Sequence, residues 1–212
     1  SETVHNNYVY GAWCVKPEDL KDAIGGMRAL GISGINVTAP HKVEVMKYID
    51  VVTDGAKKLG SVNTVVNRDG KLYGYNTDAD GFCMALTKAG IEIENSRILI
   101  IGAGGVVRPT LIRLIDNKPK SITVVNRTKS KAKTLAEDIL KSTGFEVKTE
   151  INKLEFDIVI NTTSAGMEPQ ENVMPIENIE EINDLSFINE NTAAVDMIYN
   201  PDKTLFLQEA EK

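Results

Sequence analysis

Lys42 is the residue in this chain best placed by its setting to do chemistry. It closes the stretch Asn36-Val37-Thr38-Ala39-Pro40-His41-Lys42, behind a sharp Pro turn and two small polar side chains, at the start of an apolar-periodic segment. Reducing a ketone takes a hydride source and a proton donor for the forming alkoxide. A lysine ammonium can give that proton when burial or a neighbouring carboxylate tunes it. Asp78, in Asn76-Thr77-Asp78, falls where one run of elements hands over to the next and is the candidate carboxylate. By residue type alone both have plainer readings, Lys42 as a solvated helix residue and Asp78 as a helix N-cap. Spacing does not by itself bring the two together.

A second constellation supplies the hydride side of such a reaction. Gly102-Ala103-Gly104-Gly105 follows the apolar run Ile98-Leu99-Ile100-Ile101 and opens an apolar-periodic segment at Val106. A tight turn needs glycine, a second glycine lets backbone approach a pyrophosphate, and a helix N-terminus offers free N–H groups to an anion. The third small position of the strict pattern is Val107, a departure, and Pro109 falls early enough in the helix for its missing N–H to cost little. The next strand ends in Asn126-Arg127-Thr128, with Lys129 and Lys131 just after. An NAD enzyme places an acid here for the ribose 2′-hydroxyl; a guanidinium suits a 2′-phosphate and an adenine face. The cofactor expected is therefore NADP.

These residues need elements to hold them. The order reads as alternating strand and helix: strand 8–15, a helix opened by Pro17 through Leu30 and stopped by Gly31, strand 34–37, helix 41–49, and a hairpin of 63–67 and 72–75 about Arg68-Asp69-Gly70. Helix 81–89 follows, then strand 98–101, helix 106–115, strand 122–125, a helix from Thr128 with apolar residues at 132, 135, 136, 139 and 140, strands 157–160 and 193–195, and a last helix 204–211. The fold class expected is α/β: an N-terminal α/β substrate domain over 1–80, rejoined by the C-terminal helix 204–212, and a Rossmann-type doubly wound NADP-binding domain over 81–203.

The bulk properties exclude other classes. The chain has 212 residues and a net charge of −6 with scattered basic residues, so no nucleic-acid footprint is visible. No apolar run is long enough for a bilayer, no leader pattern opens the chain, and no membrane partner is expected. Cys14 and Cys83 lack metal spacing and read as buried thiols of a cytoplasmic protein; with His5 and His41 the only histidines, no metal site is expected.

Taken in order, the segments resemble the shikimate dehydrogenase family. Residues 36–42 look like its NVTxPHK motif. Gly60-Ser61-Val62-Asn63-Thr64 is similar to GAVNT, with Ser61 for Ala, and Gly74-Tyr75-Asn76-Thr77-Asp78 to GxNTD. Then come GAGG at 102–105, Asn126-Arg127-Thr128, Asn161-Thr162-Thr163-Ser164-Ala165-Gly166-Met167 close to NATSxGM, and Asp196-Met197-Ile198-Tyr199-Asn200-Pro201 close to DxxYxP. The resemblance implies NADPH-dependent, reversible reduction of 3-dehydroshikimate to shikimate in aromatic amino-acid and chorismate biosynthesis. It implies Lys42 as acid/base with Asp78 as partner. Substrate contacts then fall to Ser1, Thr38, Lys42, Asn63, Asp78 and Tyr199. Cofactor contacts fall to Gly102, Ala103, Gly104, Gly105, Val106, Asn126, Arg127, Thr128 and Lys131, with Met197 by the nicotinamide and Asp54 as an acidic neighbour. A homodimer stays open as the assembly. The family opens on an SxSP segment, of which Ser1 matches the second serine while Glu2 replaces the proline. It also continues past the point where this chain stops, so the numbered sequence is expected to be part of a longer protein. The alternatives are a quinate/shikimate dehydrogenase, for which a preference for NAD stays open, and a non-catalytic NADP-binding relative.

Overall fold

A computed structural model describes residues 8–212 and divides after Asn76 into two compact units. The first carries a four-stranded sheet in the order β1 (Gly34–Asn36), β3 (Thr64–Arg68), β4 (Lys71–Tyr75), β2 (Val51–Val52). β3 pairs antiparallel with both β1 and β4, whereas β2 runs parallel to β4. The β3–β4 hairpin turns on Asp69 (φ 52°) and Gly70 (φ 84°), and Asn67 Oδ1 accepts the Gly70 N–H at 2.8 Å. Two residues at positive φ match the right-handed twist of the flanking strands, which is why an Asp-Gly pair makes this turn.

Helix α1 (Leu20–Ala29) buries Leu20, Ile24 and Met27, one face at helical spacing, against Val45, Val62, Val65 and Leu72. Asp50 ties this helix to the sheet, accepting from Arg28 Nη2 at 3.0 Å and from the Leu72 N–H at 2.7 Å. Helix α2 (Asp54–Leu59) is capped by Thr53, whose hydroxyl accepts the Ala56 N–H, and stops at Gly60 in the left-handed region.

Two expectations in this unit are corrected. Residues 8–15 form no strand: among the described residues nothing ladders with them, and Tyr8, Val9, Tyr10 and Trp13 are exposed. Residues 41–49 form turns and a short 3-10 helix, Glu44–Lys47, in place of an α-helix. The Lys42 carbonyl, which would accept the Met46 N–H in an α-helix, accepts the Val62 N–H at 2.7 Å, so Met46 bonds back to Val43.

The second unit holds a wholly parallel sheet in the order β6 (Ser121–Val125), β5 (Arg97–Ile101), β7 (Ile158–Asn161), β8 (Ala193–Asp196). Ile98, Leu99, Ile100 and Ile101 are fully buried, as a strand covered on both faces must be. Helices α3 (Asp78–Lys88), α4 (Val107–Asp116) and α5 (Lys129–Thr143) follow the expected order. α5 buries Ala132 and Ile139 but leaves Leu140 exposed, so its apolar face is narrower than the sequence suggested. Residues 162–192, between β7 and β8, contain neither helix nor strand; they descend through successive turns and plug Ile176, Ile179, Ile182 and Phe187 into the core. The last helix, α6 (Leu205–Ala210), was expected to return to the first domain. It packs instead in the second unit, where Phe206 is fully buried beside Leu99 and Ile101. Cys83 is buried as expected, and burial pushes its thiol up to about 11, whereas Cys14 is exposed, a correction. Among the described residues no helix is long and apolar enough to cross a membrane, and no group of three His, Cys, Asp or Glu could hold a metal ion.

Candidate functional site

In the first unit, backbone hydrogen bonds bring three separate motifs to one place. The Lys42 carbonyl accepts from Val62, the Asn63 carbonyl accepts from Val37, and the Tyr75 carbonyl accepts from Asn63, all within 2.7–2.9 Å. Lys42 is half-buried there, Thr38 exposed and Asn63 buried. The His41 N–H returns to the Thr38 carbonyl at 2.9 Å, and the His41 ring Nε2 lies 2.8 Å from the Val15 carbonyl, so that nitrogen carries the proton. The turn in front of Lys42 is thus pinned on both sides.

Ser61, which replaces the usual Ala, has a structural use: its hydroxyl accepts from Asn76 Nδ2 at 2.8 Å, inside the core. Gly74 has no room for a side chain, since a Cβ there would stand 2.3 Å from Ile49 Cδ1 and 2.9 Å from Val62 Cγ2. Asp54 is fully exposed in the first turn of α2, paired with Lys57 at 3.4 Å. Ser1 lies outside the described residues.

Asp78 is the first residue of α3 in the second unit, so Thr77 and not Asp78 is the N-cap position. Lys42 belongs to the first unit and Asp78 to the second.

The glycine loop occupies the C-terminal end of β5. Gly102 takes φ 117° and its N–H donates to the Val125 carbonyl at 2.8 Å. A Cβ there would lie 2.5 Å from Thr162 Oγ1, so close passage against the β7 loop requires glycine at this position. Gly104 and Gly105 are exposed with open space where side chains would be, as backbone approach by a phosphate demands. Val106 precedes α4 without a side-chain cap, and the Val107 N–H turns back to the Gly104 carbonyl at 3.0 Å. The bulky Val107 is fully buried, so the departure from the glycine pattern is absorbed by the core.

Beside this loop opens a cleft of about 430 Å³ lined by Gly102, Asn126, Arg127, Thr163, Ser164 and the 170–179 stretch. Arg127, Thr128 and Lys131 are exposed, and Asn126 Nδ2 donates to the Thr128 carbonyl at 3.0 Å. Lys129 is bound to Glu180 at 2.8 Å and Glu181 at 3.0 Å, which hold its ammonium above the ordinary lysine range. No carboxylate follows the end of β6 in the Asn126-Arg127-Thr128 turn. The residues present therefore fit a dinucleotide bearing a 2′-phosphate.

At the far side of the sheet Met197 is half-buried and Tyr199 is 90% exposed. Asp196, to which the sequence assigned no role, is a hub: Asn161 Nδ2 donates to both its oxygens at 3.0 and 3.1 Å, the Ile198 N–H at 2.9 Å and Thr204 Oγ1 at 2.7 Å. Both Asn161 and Asp196 stand in recognisable motifs, but their pairing joins residues far apart in the chain and no local pattern announces it.

The family model described as the shikimate dehydrogenase substrate binding domain matches residues 1–65, and the one described as shikimate/quinate 5-dehydrogenase matches residues 84–200. The chain belongs to the shikimate dehydrogenase family. A shikimate dehydrogenase (NADP(+)) from Geobacillus sp. (strain WCH70) is 47% identical over 208 residues, an alignment covering 96% of this chain and 73% of that relative. Among solved shikimate dehydrogenases, one in complex with NADP+ superposes with a TM-score of 0.86 at 39% identity, over 97% of this chain and 71% of its own. The enzyme from Thermus thermophilus, in complex with NADP(H) and shikimate, gives a TM-score of 0.78 at 32% identity, over 94% of this chain and 70% of its own.

Proposed function

We infer that this chain is an NADP-dependent shikimate dehydrogenase that interconverts 3-dehydroshikimate and shikimate in the shikimate pathway. The observation that carries the reading is the pairing, in one family member, of a pinned lysine turn with a glycine-loop cleft that ends in Arg127 where an NAD enzyme has an acid.

The first unit is proposed to hold the substrate and the second the cofactor. When bound, NADPH supplies the hydride to the ketone carbon. Lys42 gives its proton to the oxygen that becomes the hydroxyl, and recovers it in the reverse direction. Asp78 is its carboxylate partner. Thr38, Asn63 and Tyr199 take the hydroxyls of the ring. Neutral amide and hydroxyl partners suit a polyhydroxylated substrate, because a substrate lacking one hydroxyl leaves a protein group unpaired, and that discriminates strongly. In the second unit Gly102 to Val106 receive the pyrophosphate, and Arg127, with Asn126, Thr128 and Lys131, receives the adenosine 2′-phosphate. Asp54 is an acidic neighbour of the cofactor and Met197 a nicotinamide contact, both by resemblance alone.

The matches to solved relatives span 91–97% of this chain and 68–73% of theirs, so the test belongs on the longest available form of the protein. Shikimate and quinate, each with NADP+ and NAD+, are assayed by the absorbance of the reduced nicotinamide. Turnover with shikimate and NADP+ is the expected result; a preference for quinate would select the quinate/shikimate alternative. Lys42→Ala is expected to lower kcat by roughly 10²–10⁴-fold, the usual worth of a positioned proton donor, while leaving NADP+ affinity intact. Unchanged turnover in that variant would remove Lys42 from the mechanism. Cys14 and Cys83 are free thiols, which fits the proposed reducing, cytoplasmic setting. The assembly, with a homodimer as the open possibility, is read by light scattering.

A further inference from the structure

The four parallel strands of the second unit end side by side, and their order fixes how a dinucleotide crosses them. Arg127 follows β6 and the glycine loop follows β5, so an adenosine half on the β6 side and a pyrophosphate over β5 send the other half of the molecule over the ends of β7 and β8. Those ends are the 161–166 loop and residues 196–199. They are stitched together by one side chain. Asp196 accepts from three donors: the NH2 of the fully buried Asn161, which stands 3.0 and 3.1 Å from its two oxygens, the Ile198 N–H and the Thr204 hydroxyl.

Asn161 is saturated in turn. Its amide nitrogen also reaches the Ala165 carbonyl at 3.2 Å, and its oxygen accepts from the Thr163 N–H at 2.9 Å and the Thr163 hydroxyl at 2.8 Å. The Met197 N–H returns to the Asn161 carbonyl at 3.0 Å. Gly166, at φ 101°, passes so close to Thr204 that a Cβ would stand 3.0 Å from the Thr204 Cβ. Two loops and the start of α6 are thereby locked into one surface.

We propose that Asp196, acting through Asn161 and Thr204, is a positioning residue that sets the surface on which the nicotinamide half of the cofactor rests. This inference rests on the NADP reading above. It does not make Asp196 a catalytic residue, since its oxygens are spent on protein donors. A buried network with every member satisfied rigidifies what it joins, and one wrong donor spoils it. In Asp196→Asn one of the two acceptor oxygens becomes an NH2, a donor set against the Asn161 NH2 and against either the Ile198 N–H or the Thr204 hydroxyl. Displacing the ring by a fraction of an ångström to an ångström is enough to cost up to ~100-fold in the chemical step.

The test separates the two halves of the cofactor. For the full chain, Asp196→Asn, Thr204→Val and Thr204→Ser, calorimetry measures affinity for NADP+ and for 2′,5′-ADP, which carries the adenosine and its 2′-phosphate but no nicotinamide. Steady-state kinetics measure kcat with shikimate. Asp196→Asn is expected to lose roughly 10- to 100-fold in kcat and to bind NADP+ more weakly, while 2′,5′-ADP affinity stays within about twofold. Thr204→Val is expected to move the same way by less, and Thr204→Ser, which keeps the hydroxyl, to behave as the parent. Equal losses for NADP+ and 2′,5′-ADP would mean a general structural role and overturn the proposal, as would unchanged NADP+ affinity and kcat in Asp196→Asn. A parent protein that binds NADP+ but fails to oxidise shikimate would defeat the substrate assignment alone, and the affinity comparison would still decide the role of Asp196.

Discussion

Arg127 is the single side chain on which the proposed cofactor choice turns. It is exposed at the rim of the cleft, on the residue where an acid would read a ribose hydroxyl. Charge-assisted hydrogen bonds are worth about 1.5–3 kcal/mol, so Arg127→Ala is expected to weaken NADP+ binding by roughly 10- to 100-fold and to leave NAD+ binding nearly unchanged. Competitive titration of the two nucleotides checks it, and equal losses for both would take Arg127 out of 2′-phosphate recognition. This residue was readable in the sequence because its partner elements, a buried strand and a glycine loop, are local. The same holds for Gly102, whose left-handed backbone and tight passage by Thr162 follow from its place after β5. Asp196 was not readable in this way. Its role depends on Asn161 and Thr204, which meet only once β7, β8 and α6 are packed.

Among elements, the parallel strands were legible and the segments that need a distant partner were not. Runs such as 98–101 announce a strand buried on both faces by composition alone. Residues 8–15 show strand-like aromatic spacing, but a strand exists only by pairing, and the described residues offer 8–15 no ladder. The 41–49 stretch has helical periodicity, yet Val62 captures the carbonyl of Lys42, so long-range pairing overrides the local pattern. Long-range pairing also registers β5 on β7. Asp157, just before β7, accepts from the Arg97 N–H at 2.7 Å and from its guanidinium at 2.9 and 3.1 Å. The Arg97 guanidinium is the chief cause that holds the Asp157 carboxyl below its ordinary value near 3.8. A carboxyl lowered on folding stabilises the fold above its unfolded pKa, and that contribution is lost as pH falls through the folded value. The pair is partly exposed, so solvent screening keeps its contribution small. Asp157→Asn is therefore expected to lower the urea midpoint near neutral pH and to match the parent in strong acid. A pH-independent difference would assign the loss to the backbone hydrogen bond.

At the scale of the molecule, each unit has its own core: one around Ile24, Met27, Val65 and Leu72, the other around Leu99, Ile101, Val159 and Phe206. Separate cores support separate unfolding transitions. Phe206→Ala empties a fully buried position and is expected to cost about 3–5 kcal/mol in the second transition alone, with NADP+ raising that same transition by mass action. Calorimetry with and without NADP+ reads both; a cofactor effect confined to the first transition would contradict the assignment of the second unit. The 162–192 connection gives this unit an uneven texture. Its apolar residues anchor it, but its backbone is tied by single turns with no helix or ladder to share the load. Amide protons there are expected to exchange with solvent by small local openings long before those of β5, β6 and β7. Part of this connection, 163–179, also walls the cleft. Saturation with NADP+ is therefore expected to slow deuterium uptake most strongly in 163–179, making this stretch the protein's own reporter of occupancy.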